Sequence, residues 1–142
     1  MALPTEDLQD VLARLWNVLH MEYDWHVNAK GEGFNEAHEL FESFYDETSE
    51  HIDMLAERIR FNGSAARMSI SDIAAHDLPT AIGGDITVGA AYREAVDLKE
   101  DLVSEMGHVM DALDGYPIDE DVLIEIKRSQ ELHLYKLRQL VA

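Results

Sequence analysis

Residues 24–58 read DWHVNAKGEGFNEAHELFESFYDETSEHIDMLAER. Two imidazoles, His26 and His38, and two carboxylates, Asp53 and Glu57, stand in this stretch at spacings of 12, 15 and 4 residues. Imidazole and carboxylate together suit iron or another first-row metal. The short break Lys30-Gly31-Glu32-Gly33 separates two helical patterns and predicts an antiparallel turn. His26 and His38 then stand at one height and face each other. Asp53 and Glu57, four residues apart, share a helix face and can chelate one ion together. Glu42, four residues after His38, can bind directly, through water, or as a supporting acid. His38 and Asp53 are 15 residues apart, so ~22 Å separates them along a helix. They cannot hold one ion within one chain. If they share a metal, a second, antiparallel copy brings its own Asp53 and Glu57 to His38. The plainer alternative is two polar interruptions of core stripes and a solvated acidic face.

Outward from this stretch, the patterns are helical throughout. Thr5 is the expected cap of a first helix, with Glu6 and Asp7 in its first turn. Its stripe runs Leu8, Val11, Leu12, Leu15, Val18, Leu19, Tyr23 and on to His26. A second helix is expected from about Asn35 to Phe61, with the stripe Phe34, His38, Phe41, Tyr45, Thr48, Ile52, Leu55 and Ile59, and Asn62-Gly63-Ser64 ends it. Residues 64–86 form a long connection, with a short helix possible over Ser69–His76. Thr87 caps a third helix whose stripe is Val88, Ala91, Ala95, Leu98, Leu102, Met106, Val109 and Leu113. After the turn Gly115-Tyr116-Pro117, a fourth helix runs from about Asp119 to Leu140. Two short links and one long crossover describe an all-α, ferritin-like four-helix bundle, with a single domain expected over residues 1–142.

Composition narrows the function. The 142 residues carry 29 Asp and Glu against 11 Lys and Arg, a formal net charge of −18. Nucleic acid is a poor partner for such a chain, whereas cations are concentrated by its field. Solubility at high salt is an equally direct reading of the acidity. There is no cysteine, so disulfides, thiolate zinc sites and thiol catalysis are excluded. No apolar run reaches the ~20 residues of a membrane span, and Met-Ala-Leu-Pro-Thr-Glu-Asp-Leu lacks the pattern of a signal peptide. A cytoplasmic location is the expectation.

The motif H-x11-H-x14-D-x3-E, with Lys30-Gly31, His38-Glu39-x-Phe41 and Asp53-x-x-Ala56-Glu57-Arg58, resembles the Dps miniferritins. The likeness extends over nearly the whole chain, including the long crossover and the ending around Ser129, His133 and Tyr135. The resemblance implies a ferroxidase site between two-fold mates, with His26 and His38 from one chain and Asp53 and Glu57 from the other, and Glu42 as an auxiliary acid. It implies a hollow dodecamer built from two-fold dimers. Such an assembly oxidises Fe(II) with hydrogen peroxide or, more slowly, dioxygen, stores Fe(III) mineral and protects against oxidative damage. It also implies pores through which iron passes, with Asp114, Asp121 and Glu125 as candidate linings; acids favouring the helix dipole are the plainer account of this region.

Two departures from the family pattern stand out. Val27 occupies the place of the family's usual tryptophan after the first histidine, with Trp25 before that histidine. That puts the tryptophan's radical-quenching role in doubt. The first basic residue is Arg14, so direct DNA binding through a basic tail is not expected. Two competing readings stay open. Glu105-x-x-His108 is half of an intrachain di-iron carboxylate centre, with Glu47, Glu50 and Asp53 as partial partners on the second helix. A metal-free acidic bundle serving as an interaction module is the other. His20, His51, His76 and His133 read as structural or exposed.

Overall fold

The computed structural model describes residues 3–142; Met1 and Ala2, which open the expected domain, lie outside the described residues. The chain forms α1 (Thr5–Asn28), β1 (Ala29–Lys30), α2 (Phe34–Phe61), α3 (Ile70–Ala74), β2 (Ile86–Thr87), α4 (Val88–Ala112) and α5 (Pro117–Val141). The four long helices make the ferritin-like bundle the patterning predicts. α1 and α2 form one antiparallel hairpin, α4 and α5 the other. Between them the crossover runs the length of the bundle, which sets α2 and α4 parallel. A two-residue parallel bridge, Ala29 with Ile86 and Lys30 with Thr87, ties the α1–α2 turn to the start of α4. Such a bridge is too short to leave a trace in sequence.

Local chemistry explains most boundaries. Ser69 caps α3 in a reciprocal box with Asp72, and Thr87 Oγ1 accepts from Ala90 N at 3.2 Å to start α4. Gly33 precedes α2 with φ +84°, a conformation costly for any residue with a Cβ. The expected cap at Thr5 does not form. Helix α1 begins at Thr5 itself, after Pro4, and the Thr5 hydroxyl turns back to Leu3 O.

The predicted stripe of α4 is buried along its whole length. The stripe of α1 is not. Tyr23 is 49% exposed, and the buried positions instead run Val18, Glu22, Trp25 and Ala29. A buried glutamate hid the true period: Tyr23 is the apolar choice, Glu22 the structural one. Trp25, Phe41 and Phe44 are fully buried, with Trp25 and Phe41 ring centroids 5.3 Å apart and Phe44 stacked on His133 deeper in the bundle. Each such side chain contributes roughly 2–3 kcal/mol by burial. The Trp25 indole donates to Glu94 Oε1 at 3.0 Å, and Glu94 also accepts from Ile82 N and Gly83 N. Gly83 lies so close to Asp24 that a Cβ there would strike the carboxylate. This knot holds the end of the crossover against the turn that carries His26.

Candidate metal centre

The turn brings His26 and His38 together in a reciprocal clasp. His26 Nδ1 donates to the carbonyl of His38 at 2.7 Å, and His38 Nδ1 donates to the carbonyl of His26 at 2.8 Å. His26 lies in the last turn of α1, where carbonyls lack helical partners, so its oxygen is free to accept. A carbonyl cannot donate, so each Nδ1 carries a proton, and in the neutral ring the lone pair falls on Nε2. The rings stack at 3.8 Å between centroids. Two imidazoles are thus fixed in the tautomer and orientation that a metal-ligating pair needs. Tyr45 meets the edge of His26 at 5.3 Å and stacks on Tyr23 at 4.0 Å. Glu42 is exposed, with the Tyr45 hydroxyl donating to its Oε1 at 3.5 Å.

Asp53 and Glu57 lie on the same helix as His38, exposed and one turn apart. They border a surface groove with Arg60, Phe61 and Met68, where Phe61 is 80% exposed. Within one chain the four predicted ligands do not meet. Among the described residues no three His, Asp or Glu side chains converge to hold an ion. Asp114, Asp121 and Glu125 are exposed at the α4–α5 end. Asp119 is not: it accepts from Arg58 Nε at 2.9 Å and Asn62 Nδ2 at 2.6 Å, locking the start of α5 to the end of α2.

The intrachain di-iron reading loses its residues. His108 is 74% exposed and sits 3.8 Å from Glu105 on the outer side of α4. Glu47 and Glu50 are likewise exposed. The bundle centre holds a different polar cluster, which the sequence reading missed. Lys99 Nζ donates to Glu22 Oε2 at 2.6 Å, Gln130 Oε1 at 2.7 Å and His133 Nδ1 at 3.0 Å. Gln130 Nε2 donates to Thr48 Oγ1 and to His51 Nδ1, each at 3.0 Å. His133 Nε2 donates to Glu47 Oε2 at 2.7 Å. Burial pushes the Glu22 carboxyl up and the Lys99 ammonium down, each opposed by the other's charge. Burial, then the Lys99 charge, lowers His51 to about 4 and His133 to about 2, so both imidazoles are neutral. The available signal was a charged or amide residue at a buried position on each of three helices: Glu22, Lys99 and Gln130.

A family model for the ferritin-like domain matches residues 5–142. The chain is 31% identical over 126 residues to the DNA protection during starvation protein of Brevibacillus brevis, covering 86% of this chain and 84% of that one. This chain belongs to the Dps family. General stress protein 20U of Bacillus subtilis (strain 168) is a similar relative, 30% identical over 129 residues and covered to 87% on both sides. Among solved structures, a Dps protein from Bacillus brevis superposes with a TM-score of 0.90 at 26% identity, covering 97% of this chain and 94% of that one. Dps from Staphylococcus aureus shares the fold at a TM-score of 0.90 and 20% identity, over 97% of this chain and 94% of the other. The resemblance read from His26, His38, Asp53 and Glu57 therefore led to the right family.

Proposed function

We propose that this Dps protein oxidises Fe(II) at sites shared between two-fold mates and stores the Fe(III) product inside a hollow oligomer, a dodecamer by family likeness. The observation that carries the reading is the His26–His38 clasp, which fixes two imidazoles side by side while, among the described residues, no third His, Asp or Glu converges with them to hold an ion. Asp53 and Glu57 of a mate, exposed on a helix of matching length, supply the missing carboxylates in an antiparallel pairing. Glu42 stands by as an auxiliary acid.

Iron is the substrate here. Two imidazoles and two carboxylates hold Fe(II) while leaving positions for an oxidant. The negative charge favours Fe(III) over Fe(II) and so assists electron loss. Hydrogen peroxide takes two electrons, one from each of two Fe(II), and consuming both reactants together denies them to hydroxyl-radical formation. The net charge of −18 draws cations inward, with Asp114, Asp121 and Glu125 as the proposed pore lining. It also opposes direct binding to DNA phosphates. No helix among the described residues is long and apolar enough to cross a membrane. A cytoplasmic setting suits the absence of cysteine.

Anaerobic loading with Fe(II), followed by peroxide, tests the reading. Fe(III) co-eluting with protein far beyond the roughly one or two ions a ligand site holds is the expected result. One or two per chain contradicts storage, and none contradicts the metal site.

A further inference from the structure

Asn62-Gly63 is the one Asn-Gly pair in the sequence, and it stands at the end of α2. Asparagine is a chemically labile residue. A following glycine, with no Cβ in the way, lets the main-chain nitrogen reach the asparagine side chain. Gly63 is exposed, with φ +96° and open space where a Cβ would stand, so water reaches this point of the chain.

Two sets of bonds hold the pair apart from reaction. Asn62 has φ −79° and ψ 2°, which sets the Gly63 nitrogen against the Asn62 nitrogen and away from its side chain. Attack requires ψ to rotate. That rotation breaks the bonds from Gly63 N to Arg60 O at 3.0 Å and from Ser64 N to Ile59 O at 3.2 Å, which close the last turn of α2. The side chain is held as well. Asn62 Nδ2 donates to Asp119 Oδ1 at 2.6 Å, and Arg58 Nε donates to the same oxygen at 2.9 Å. Asp119 is 5% exposed.

We propose that Asn62 is a self-modification site, deamidated through attack by the Gly63 nitrogen, and that Asp119 is the latch that restrains it. The Gly63 nitrogen bonds to Asn62 Cγ and gives up its proton. The Cγ–Nδ2 bond breaks, and Nδ2 leaves as ammonia after gaining one proton through solvent. A succinimide ring remains, and water opens it at either carbonyl to aspartate or isoaspartate. The departing nitrogen needs a proton, and a carboxylate that accepts from it supplies none. Either product places a carboxylate where the amide donated. Two carboxylates then share the single Arg58 guanidinium, and like charges that close oppose each other. Isoaspartate also adds a methylene to the main chain and spoils the helix end. Conversion thus replaces a bond between α2 and the start of α5 by a repulsion. Iron takes no part in this chemistry, so it is independent of the site proposed above.

Peptide mapping by mass spectrometry follows the amide-to-acid mass gain at Asn62 during incubation at mildly alkaline pH without iron. Asn17, Asn28 and Asn35, none followed by glycine, give the background in the same digests. Folded wild type should convert at least about tenfold more slowly than the same chain in urea, because conversion waits for local opening. Asp119→Ala that keeps its helical circular dichroism should convert at least about tenfold faster than folded wild type, through loss of a hydrogen bond to a charged group. Asn62→Asp reproduces one product, whereas Asn62→Ala removes the bond without adding charge. Asn62→Asp should show the lower thermal midpoint and the faster proteolysis at the start of α5. Should Asp119→Ala not fold, the wild-type rates and the two Asn62 variants decide. Equal conversion in folded and unfolded wild type, no acceleration in folded Asp119→Ala, or an Asn62→Asp chain as stable as Asn62→Ala would each overturn the proposal.

Discussion

His26 and His38 each hold the other's ring in place, Nδ1 of one to the carbonyl of the other at 2.7 and 2.8 Å. Neither ring owes its tautomer to a distant partner; the α1–α2 turn alone decides it. The clasp predicts that either histidine changed to Ala loses rapid Fe(II) oxidation while the bundle keeps its helicity and oligomeric state. Stopped-flow oxidation and size-exclusion chromatography check the two halves. Normal oxidation by both variants removes the site assignment.

The Lys99–Glu22 pair is fully buried on both sides, at 2.6 Å. Removing one partner leaves a buried charge unpaired, so Glu22→Ala and Lys99→Met should each destabilise the protein by roughly 3–5 kcal/mol. A joint replacement by apolar residues of similar volume should restore much of that loss. Chemical denaturation of the single and double variants measures the coupling.

His133 sets an acid limit on stability. Burial first, then Lys99, His51 and Lys136, lowers it to about 2, while Glu47 accepts its Nε2–H. The unfolded chain takes up this proton near 6.5, the ordinary value; the folded chain does not until about 2. Below pH 6.5 the unfolded state therefore binds more protons, and stability falls as pH falls. The slope from this one group is about 1.4 kcal/mol per pH unit. Comparing stability between pH 7 and pH 5 for wild type and His133→Asn tests it: the variant should lose about one proton's worth of slope. An unchanged slope contradicts the assignment.

Asp121 and Glu125 stand one turn apart and exposed on α5, unlike Asp119, which is committed to Arg58 and Asn62. Asp121→Asn with Glu125→Gln should slow iron uptake into the oligomer and leave its final capacity unchanged. Asp119→Ala should act on stability, at roughly 1–3 kcal/mol, through the lost bonds. If the Asp121 and Glu125 changes leave uptake kinetics unaltered, iron passes elsewhere.

The bundle was legible because apolar spacing, turn residues and the cap at Thr87 agree. The α4 stripe and the cap at Thr87 fell where the pattern put them. Thr5 failed because Pro4 fixes the chain before it and the helix starts one residue early. Tyr23 was misplaced for a deeper reason: periodicity follows hydrophobicity, and the true core position, Glu22, is charged. Its burial depends on Lys99, which lies 77 residues away. No local pattern carries such a pairing. The same holds for His51 and His133, whose neutral states follow first from burial in the bundle and then from a lysine on another helix. The His26–His38 pair was readable because a short turn enforces it, whereas the meeting of His38 with Asp53 requires a second chain.

The most direct test of the shared site is complementation. His38→Ala chains and Asp53→Ala/Glu57→Ala chains, each inactive alone, are unfolded, mixed in equal amounts and refolded together. In a two-fold dimer of one of each, one interface site carries all the defects and the other is intact. Random pairing should therefore recover about a quarter of the wild-type Fe(II) oxidation rate. If the ligands instead belong to one chain, the mixed assembly, confirmed to contain both variants, stays as inactive as its parents.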